Sequence, residues 1–225
     1  MVDKPHMSSP HIMILNNGGL RSLVATALAI RDPEPQKTQV SLLHVIDGRD
    51  NGIRIKYVRM QAKQFQLTRI VEIDLRNLYE HRPGRDKDGL PIDTLSTPQV
   101  LLAALGQARW QQADQVIWPA SFDGDETAMA RATEQMVLIG HLAQIEYDPM
   151  PQLDAPLLEL TDRQVLEVGA QLDLDWQLAK SCLAATDKPC HTCAACQRRK
   201  NAFAAAGMVD LIGSHHHSVL ASPAH

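Results

Sequence analysis

Four cysteines fall inside one 15-residue window, Cys182, Cys190, Cys193 and Cys196, and the 225-residue chain has no others. Their order is C-x7-C-x2-C-x2-C, within SCLAATDKPCHTCAACQRRK. Each x2 spacing lets two sulfurs reach one ion from a tight turn. Pro189, just before Cys190, brings the first ligand back over the x7 loop. Four thiolates this close suit one tetrahedral Zn²⁺, with Zn–S near ~2.3 Å. A shell of four sulfurs has no open position for water, so this zinc reads as structural rather than hydrolytic. Two disulfides are the other pairing the count allows. The opening MVDKPHMSSP lacks an apolar signal core, which sets the expectation of a cytoplasmic protein and favours metal over disulfides. His191 lies inside the knot and is the alternative ligand should one cysteine be replaced.

The length suits one α/β domain with a small appendage. At 44% hydrophobic residues but only 4% aromatic, the core must be built from Leu, Ile, Val, Ala and Met. Net charge is −4, which argues against a general nucleic-acid or membrane surface. No apolar run reaches the ~18 residues of a membrane span.

Short apolar runs alternate with helical patterns. Residues 11–15 (HIMIL) read as a strand, followed by a glycine turn and a helix carrying Leu20, Leu23, Val24, Ala27 and Leu28. Strands are expected again at 39–46, 69–75 and 115–118, with a short extended piece around Leu157–Leu158. Helices are expected over 51–66, 98–113, 127–143 and 194–206, and another opens at the capping box Thr161-Asp-Arg-Gln164. Residues 80–97 are charged and carry Pro and Gly, a long loop of the kind used as a lid or binding loop. The pattern predicts a parallel sheet with helices on both faces. It divides the chain into a disordered 1–10, an α/β domain over 11–178, a zinc segment over 179–212 and a disordered tail from 213 with three histidines in a row. Ligands of such sheets sit beyond the carboxyl ends of the strands. The loops 16–22, 47–51 and 120–126 should therefore share one cleft.

In the first of these loops Gly18 and Gly19 stand between strand and helix, where successive backbone N–H groups can cradle an anion. Taken alone, the pair is equally a plain strand-to-helix turn. Taken with the cysteine knot, the chain resembles the 7-cyano-7-deazaguanine synthases of queuosine biosynthesis, within the PP-loop (N-type) ATP pyrophosphatases. Three features carry the resemblance. Asn17-Gly18-Gly19-Leu20-Arg21-Ser22 matches the family's S-G-G-x-D-S. The Asp47-Gly48 step resembles its D-x-G-Q. Residues 155–174 resemble its P-L…K-x-E/D-hydrophobic helix, with Arg163 in place of lysine. The loop serine is Asn17 and the loop aspartate is Arg21, and the family's P-G-R-N segment reads Ser96-Thr97-Pro98-Gln99.

The resemblance implies a Rossmann-like fold and an ATP-dependent carbon–nitrogen ligase. A carboxylate on a purine-like base is adenylated, pyrophosphate leaves, and ammonia gives an amide that is then dehydrated to a nitrile. It also implies ATP with Mg²⁺, a nucleobase-like substrate and a homodimer. The residues it marks are Asn17, Gly18, Gly19 and Ser22 for the phosphates, with Arg21 as a charge clamp. Asp47 and Gly48 would border the adenosine, Asp123 and Asp125 would meet metal or base, and Arg163 would stand at the lysine place. Each has a plainer reading: first-turn acids for the two aspartates, exposed arginines for Arg21 and Arg163, and a solvated face for Arg198-Arg199-Lys200. Arg in place of Asp shifts the local charge by two units and removes an oxygen ligand for Mg²⁺. The alternative function is therefore a homologue that binds a nucleotide or base without turnover. A zinc-stapled nucleic-acid-binding protein is the third reading, and the acidic net charge opposes it.

Overall fold

A computed structural model describes residues 9–31, 38–47, 52–79, 96–184 and 186–212. The elements run β1 (His11–Leu15), α1 (Leu20–Ile30), β2 (Gln39–Ile46), α2 (Ile53–Gln64), β3 (Ile70–Asp74), α3 (Arg76–Tyr79), α4 (Ser96–Trp110), β4 (Gln115–Ile117), α5 (Glu126–Glu146), β5 (Gln152–Asp154), α6 (Asp162–Gln171), a 3₁₀ turn (Trp176–Leu178) and α7 (Ala194–Ala205). All strand pairings are parallel, in the order β3-β2-β1-β4-β5.

The two-residue period of the strands divides the core. Ile12 and Ile14 of β1 pack on one face with Val24 and Ala25 of α1, Val58 and Ala62 of α2, and Val165 of α6. Met13 and Leu15 point the other way, onto Leu101, Ala104 and Leu105 of α4 and Ile139 and Ala143 of α5. β1 is central and every one of its residues is buried, which explains an apolar run without polar alternation. Gly48, residues 1–8, nearly all of the expected 80–97 loop and the tail from 213 lie outside the described residues.

Two elements differ from the sequence reading. The fifth strand is Gln152–Asp154, and Leu157–Leu158 lies in a turn closed by Leu158 N–H to Ala155 O and Leu160 N–H to Leu157 O. Leu157 is fully buried in the first core layer, so its apolar character answers to packing and not to a strand. The capping box at Thr161 and Gln164 forms in both halves.

The C-terminal segment docks on α6. Leu166, Ala202 and Phe203 form a small third core, with Trp176 edge-on to Phe203 at 5.7 Å between centroids. A Cβ at Gly169 would lie 2.2 Å from Trp176 Cη2, so only glycine admits the indole there. No described helix is long and apolar enough to cross a membrane.

Candidate functional site

Strand order reverses direction between β1 and β4, so the crevice for a ligand opens at their carboxyl ends. The Asn16–Gly19 loop forms one wall and the 118–125 segment the other.

The loop is closed on itself. Gly18 N–H donates to Asn16 Oδ1 at 2.7 Å and Gly19 N–H to Asn17 Oδ1 at 3.0 Å. Asn17 N–H donates to Ser22 Oγ at 3.2 Å, and the Ser22 hydroxyl returns a bond to Asn17 Oδ1 at 2.9 Å. The side-chain oxygens of Asn16 and Asn17 thus occupy the Gly18 and Gly19 donors that an anion nest would offer. Gly18 is left-handed at φ 72°, and a Cβ there would meet Tyr57 Cβ at 2.8 Å and the Arg54 carbonyl at 2.9 Å. Glycine is needed both for the turn and for the approach of α2.

Behind the loop lies a buried polar network. Asn16 Nδ2 donates to Gln61 Oε1 at 2.9 Å, and Gln61 Nε2 donates to Leu178 O at 2.9 Å. His44 Nδ1 lies 2.9 Å from the Asn16 carbonyl, so that nitrogen carries the proton. Gln61 is fully buried on α2.

Arg21 reaches across to α6, where its Nη2 meets Asp162 Oδ1 at 2.9 Å. Arg198 of α7 meets the same carboxylate through Nε on Oδ2 and through Nη2 on Oδ1 at 3.0 Å. Asp162 is 11% exposed at its side chain, between guanidiniums that are 31% and 41% exposed. Two cations on one anion leave a net positive charge at the crevice. Arg163, which the resemblance marks, does not reach the loop; its neighbour Asp162 does.

The other marked residues spread out. Asp125 caps α5 by accepting from Ala128 N–H at 3.0 Å. Asp123, left-handed at φ 56°, accepts from Asp162 N–H at 2.9 Å and so caps α6. Arg163 pairs with Glu167 one turn on, at 2.7 Å, with both side chains well exposed. Asp47 ends β2 at the same edge of the sheet as the loop. No carboxylate stands on the glycine loop itself, and Asp123, Asp125 and Asp162 each hold a structural bond. The residues at the loop therefore do not form an oxygen cage for Mg²⁺.

The cysteines converge as their spacing predicts. Their four sulfurs lie within 4.8 Å of one another, and Cys182 and Cys190 Sγ are 3.5 Å apart. Tetrahedral Zn–S bonds of ~2.3 Å require about 3.8 Å between sulfurs, so the cluster fits such an ion. Cys182 Sγ accepts N–H bonds from Ala184 and Cys190, both at 3.3 Å. The N–H of Thr192, then that of Cys193, hold the Cys190 thiol down to about 5, while burial pushes Cys196 up to about 12. Four negative sulfurs are stable side by side only around a cation.

The basic run is not a solvated face. Arg199 is buried, pairs with Asp210 through Nε at 2.6 Å and Nη2 at 2.9 Å, and donates to the carbonyls of Ala179 and Trp176. Asp162, Arg198, Arg199 and Lys180, none of them marked for the site by the sequence reading, join the segment 176–210 to the loop. Lys180 does so through its backbone, donating N–H to Gly18 O at 2.8 Å.

Comparison with known proteins agrees with this geometry. The family model for queuosine biosynthesis protein QueC matches residues 110–207. A 7-cyano-7-deazaguanine synthase of Ralstonia nicotianae is 25% identical over 88% of this chain and 96% of its own length. That of Nostoc punctiforme is 33% identical over a shorter stretch, 35% of each chain. Among solved structures, the U34-tRNA thiolase NcsA from Methanococcus maripaludis with its [4Fe-4S] cluster superposes with TM-score 0.53 at 13% identity, covering 87% of this chain and 65% of NcsA. NMN synthetase from Francisella tularensis gives 0.52 at 15% identity, covering 92% and 81%. These two establish the PP-loop, adenine-nucleotide-hydrolase-like fold. With the cysteine knot and the glycine loop in the places described, the chain is similar to the 7-cyano-7-deazaguanine synthases.

Proposed function

We propose that the chain is an ATP-dependent ligase of the deazaguanine-synthase type, activating a carboxylate on a purine-like base as an adenylate and delivering nitrogen to it as an amide or nitrile. The observation that carries the reading is the Arg21–Asp162–Arg198 cluster beside the Gly18-Gly19 turn at the switch point of the sheet. Fixed guanidiniums are suited to oxygens that gain charge as pyrophosphate departs. Asp162 orients both arginines, and Arg21 and Arg198 meet the phosphates. Mg²⁺, when bound, would neutralise the triphosphate and be carried by it, because the loop offers no carboxylate. The zinc-type cluster holds α7, and with it Arg198, in place. NcsA carries a [4Fe-4S] cluster, which makes iron–sulfur the competing occupant of the four cysteines, and metal analysis with an absorption spectrum separates the two.

A second reading has its own support. The N–H groups of Asn17, Gly18 and Gly19 are already bonded within the loop, which favours a homologue that holds a nucleotide or base without turning it over. Pyrophosphate release from ATP, Mg²⁺ and 7-carboxy-7-deazaguanine decides between them. The ligase reading expects stoichiometric AMP and pyrophosphate, lost in Arg198→Ala. ATP binding by calorimetry without release selects the second reading, and no binding of ATP, AMP or pyrophosphate refutes both. The homodimer implied by the resemblance belongs to this proposal. The exposed Leu138, Leu142 and Ile145 on one face of α5 offer its surface, and sedimentation of Leu142→Asp as the same species as the unaltered chain removes it.

A further inference from the structure

A cavity of about 350 Å³ lies between α2, the 179–189 segment and α7, lined among others by Tyr57, Lys180, Ser181, Gln197, Lys200 and Ile212. Cys182 and Cys196 touch its wall, but it extends from them to Tyr57 and Ile212, far more room than a single ion among sulfurs needs. None of Arg21, Asp162 and Arg198 lines it.

Apart from the metal–cysteine cluster, where four thiolates around one Zn²⁺ carry a net −2, its charges do not balance. Arg199 and Asp210 cancel in their own buried pair, and Asp187 is bonded to Lys56 at 2.9 Å. Lys180 and Lys200 are left over. Among the described residues Lys200 has no acidic partner, and it stands exposed at the rim. Lys180 is 4% exposed, and its ammonium makes one hydrogen bond, to the neutral carbonyl of Thr186 at 2.7 Å. Asp187, which interacts with it through space, is already bonded to Lys56. A buried ammonium with one carbonyl partner has two N–H donors to spare and a desolvation cost that an anion would relieve. The volume is at the lower end for small-molecule pockets and excludes a polymer.

We infer that this cavity is an anion site for the phosphate group of a small molecule, with Lys180 as its buried receptor and Lys200 at its mouth. The inference does not rest on turnover of ATP. Lys180 also donates its backbone N–H to Gly18 O, so the occupied cavity would back directly onto the phosphate loop.

Calorimetric titration of the metal-loaded full chain with inorganic phosphate, pyrophosphate and AMP tests it. The unaltered protein should bind at least one of the three. Lys180→Met should weaken that binding about tenfold or more, as expected for loss of a charge-assisted bond in a desolvated site. Lys200→Ala, an exposed change that leaves the fold intact, should weaken it about threefold and flatten its salt dependence. Arg21→Ala should leave it unchanged, which separates this site from the crevice. Similar affinity for inorganic phosphate and AMP assigns a free phosphate, whereas much tighter AMP assigns a nucleotide. No binding by the unaltered chain overturns the inference. So does unchanged affinity in Lys180→Met, or, where that variant is unfolded in a thermal melt, unchanged affinity in Lys200→Ala. Binding lost in Arg21→Ala but kept in Lys180→Met places the anion on the loop instead.

Discussion

Replacing Asp210 by alanine should loosen the C-terminal segment more than any other single change outside the cysteines. Arg199 and Asp210 are 6% and 7% exposed at their side chains and joined by two bonds, Nε to Oδ2 at 2.6 Å and Nη2 to Oδ1 at 2.9 Å. Arg199 also donates to Ala179 O at 2.7 Å and Trp176 O at 3.1 Å, and lies 5.2 Å from the Phe203 ring centroid. Asp210→Ala keeps the guanidinium buried and removes its only carboxylate. Breaking one side of a buried pair costs about 3–5 kcal/mol. Domains have about 5–15 kcal/mol in all. For a chain of this size ~2–4 °C of melting temperature goes with each kcal/mol, so the drop should be about 6–20 °C. The control is Arg199→Met with Asp210→Leu, which removes both charges and should recover most of the loss. Both melts need the same excess of metal, since a ligand of the folded state raises apparent stability by mass action. Calorimetric scanning with urea unfolding followed by circular dichroism measures it. A loss below about 1 kcal/mol in Asp210→Ala, or a double variant as damaged as the single, refutes the claim that a buried charge pair fastens α7.

Three further outcomes are expected. Gly18→Ala should cost at least about 1–2 kcal/mol from its left-handed backbone, and more because the Arg54 carbonyl 2.9 Å away is backbone, with unfolding midpoints as the measure. Stripping the metal with a chelator should open the segment after Cys182 to proteolysis before the sheet, since structural zinc contributes on the order of 10 kcal/mol; simultaneous loss of both would count against a separately stapled segment. Burial, then the nearby Arg69 charge, holds His11 below the ordinary histidine value, so the unfolded chain binds its proton first. Stability should therefore fall as pH drops through about 6.5, and His11→Gln should flatten that slope in urea titrations at several pH values.

What the sequence disclosed and what it hid divide by range. β1 with its glycine turn, the capping box at Thr161 and the cysteine cluster depend on residues near one another, and local spacing set each of them. Arg21 and Asp162 are 141 positions apart, and Arg198 reaches Asp162 across 36. A side chain's partner at such separation is fixed by strand order and helix docking, which no local pattern encodes. Arg199 shows the same limit. In RRK it reads as one more surface cation, yet the face of α7 that carries Ala202 and Phe203 also carries Arg199 inward.

The Arg21–Asp162 pair bears on how the loop holds its shape. The Asn16–Gly19 turn is fastened from three directions: from below by Asn16 and Gln61, from the side by Arg21 on Asp162, and from above by Lys180 N–H on the Gly18 carbonyl. Gln61 is itself tied to Leu178 O, and Asp162 to Arg198. Each of the three fastenings thus leads, directly or at one remove, into residues 178–198. The Arg21–Asp162 pair fastens the loop from the side and gives the crevice a fixed cation. The cysteine module and the glycine loop are on this geometry one mechanical unit. Release of the metal should therefore be felt at Gly18, and an anion held there should slow that release.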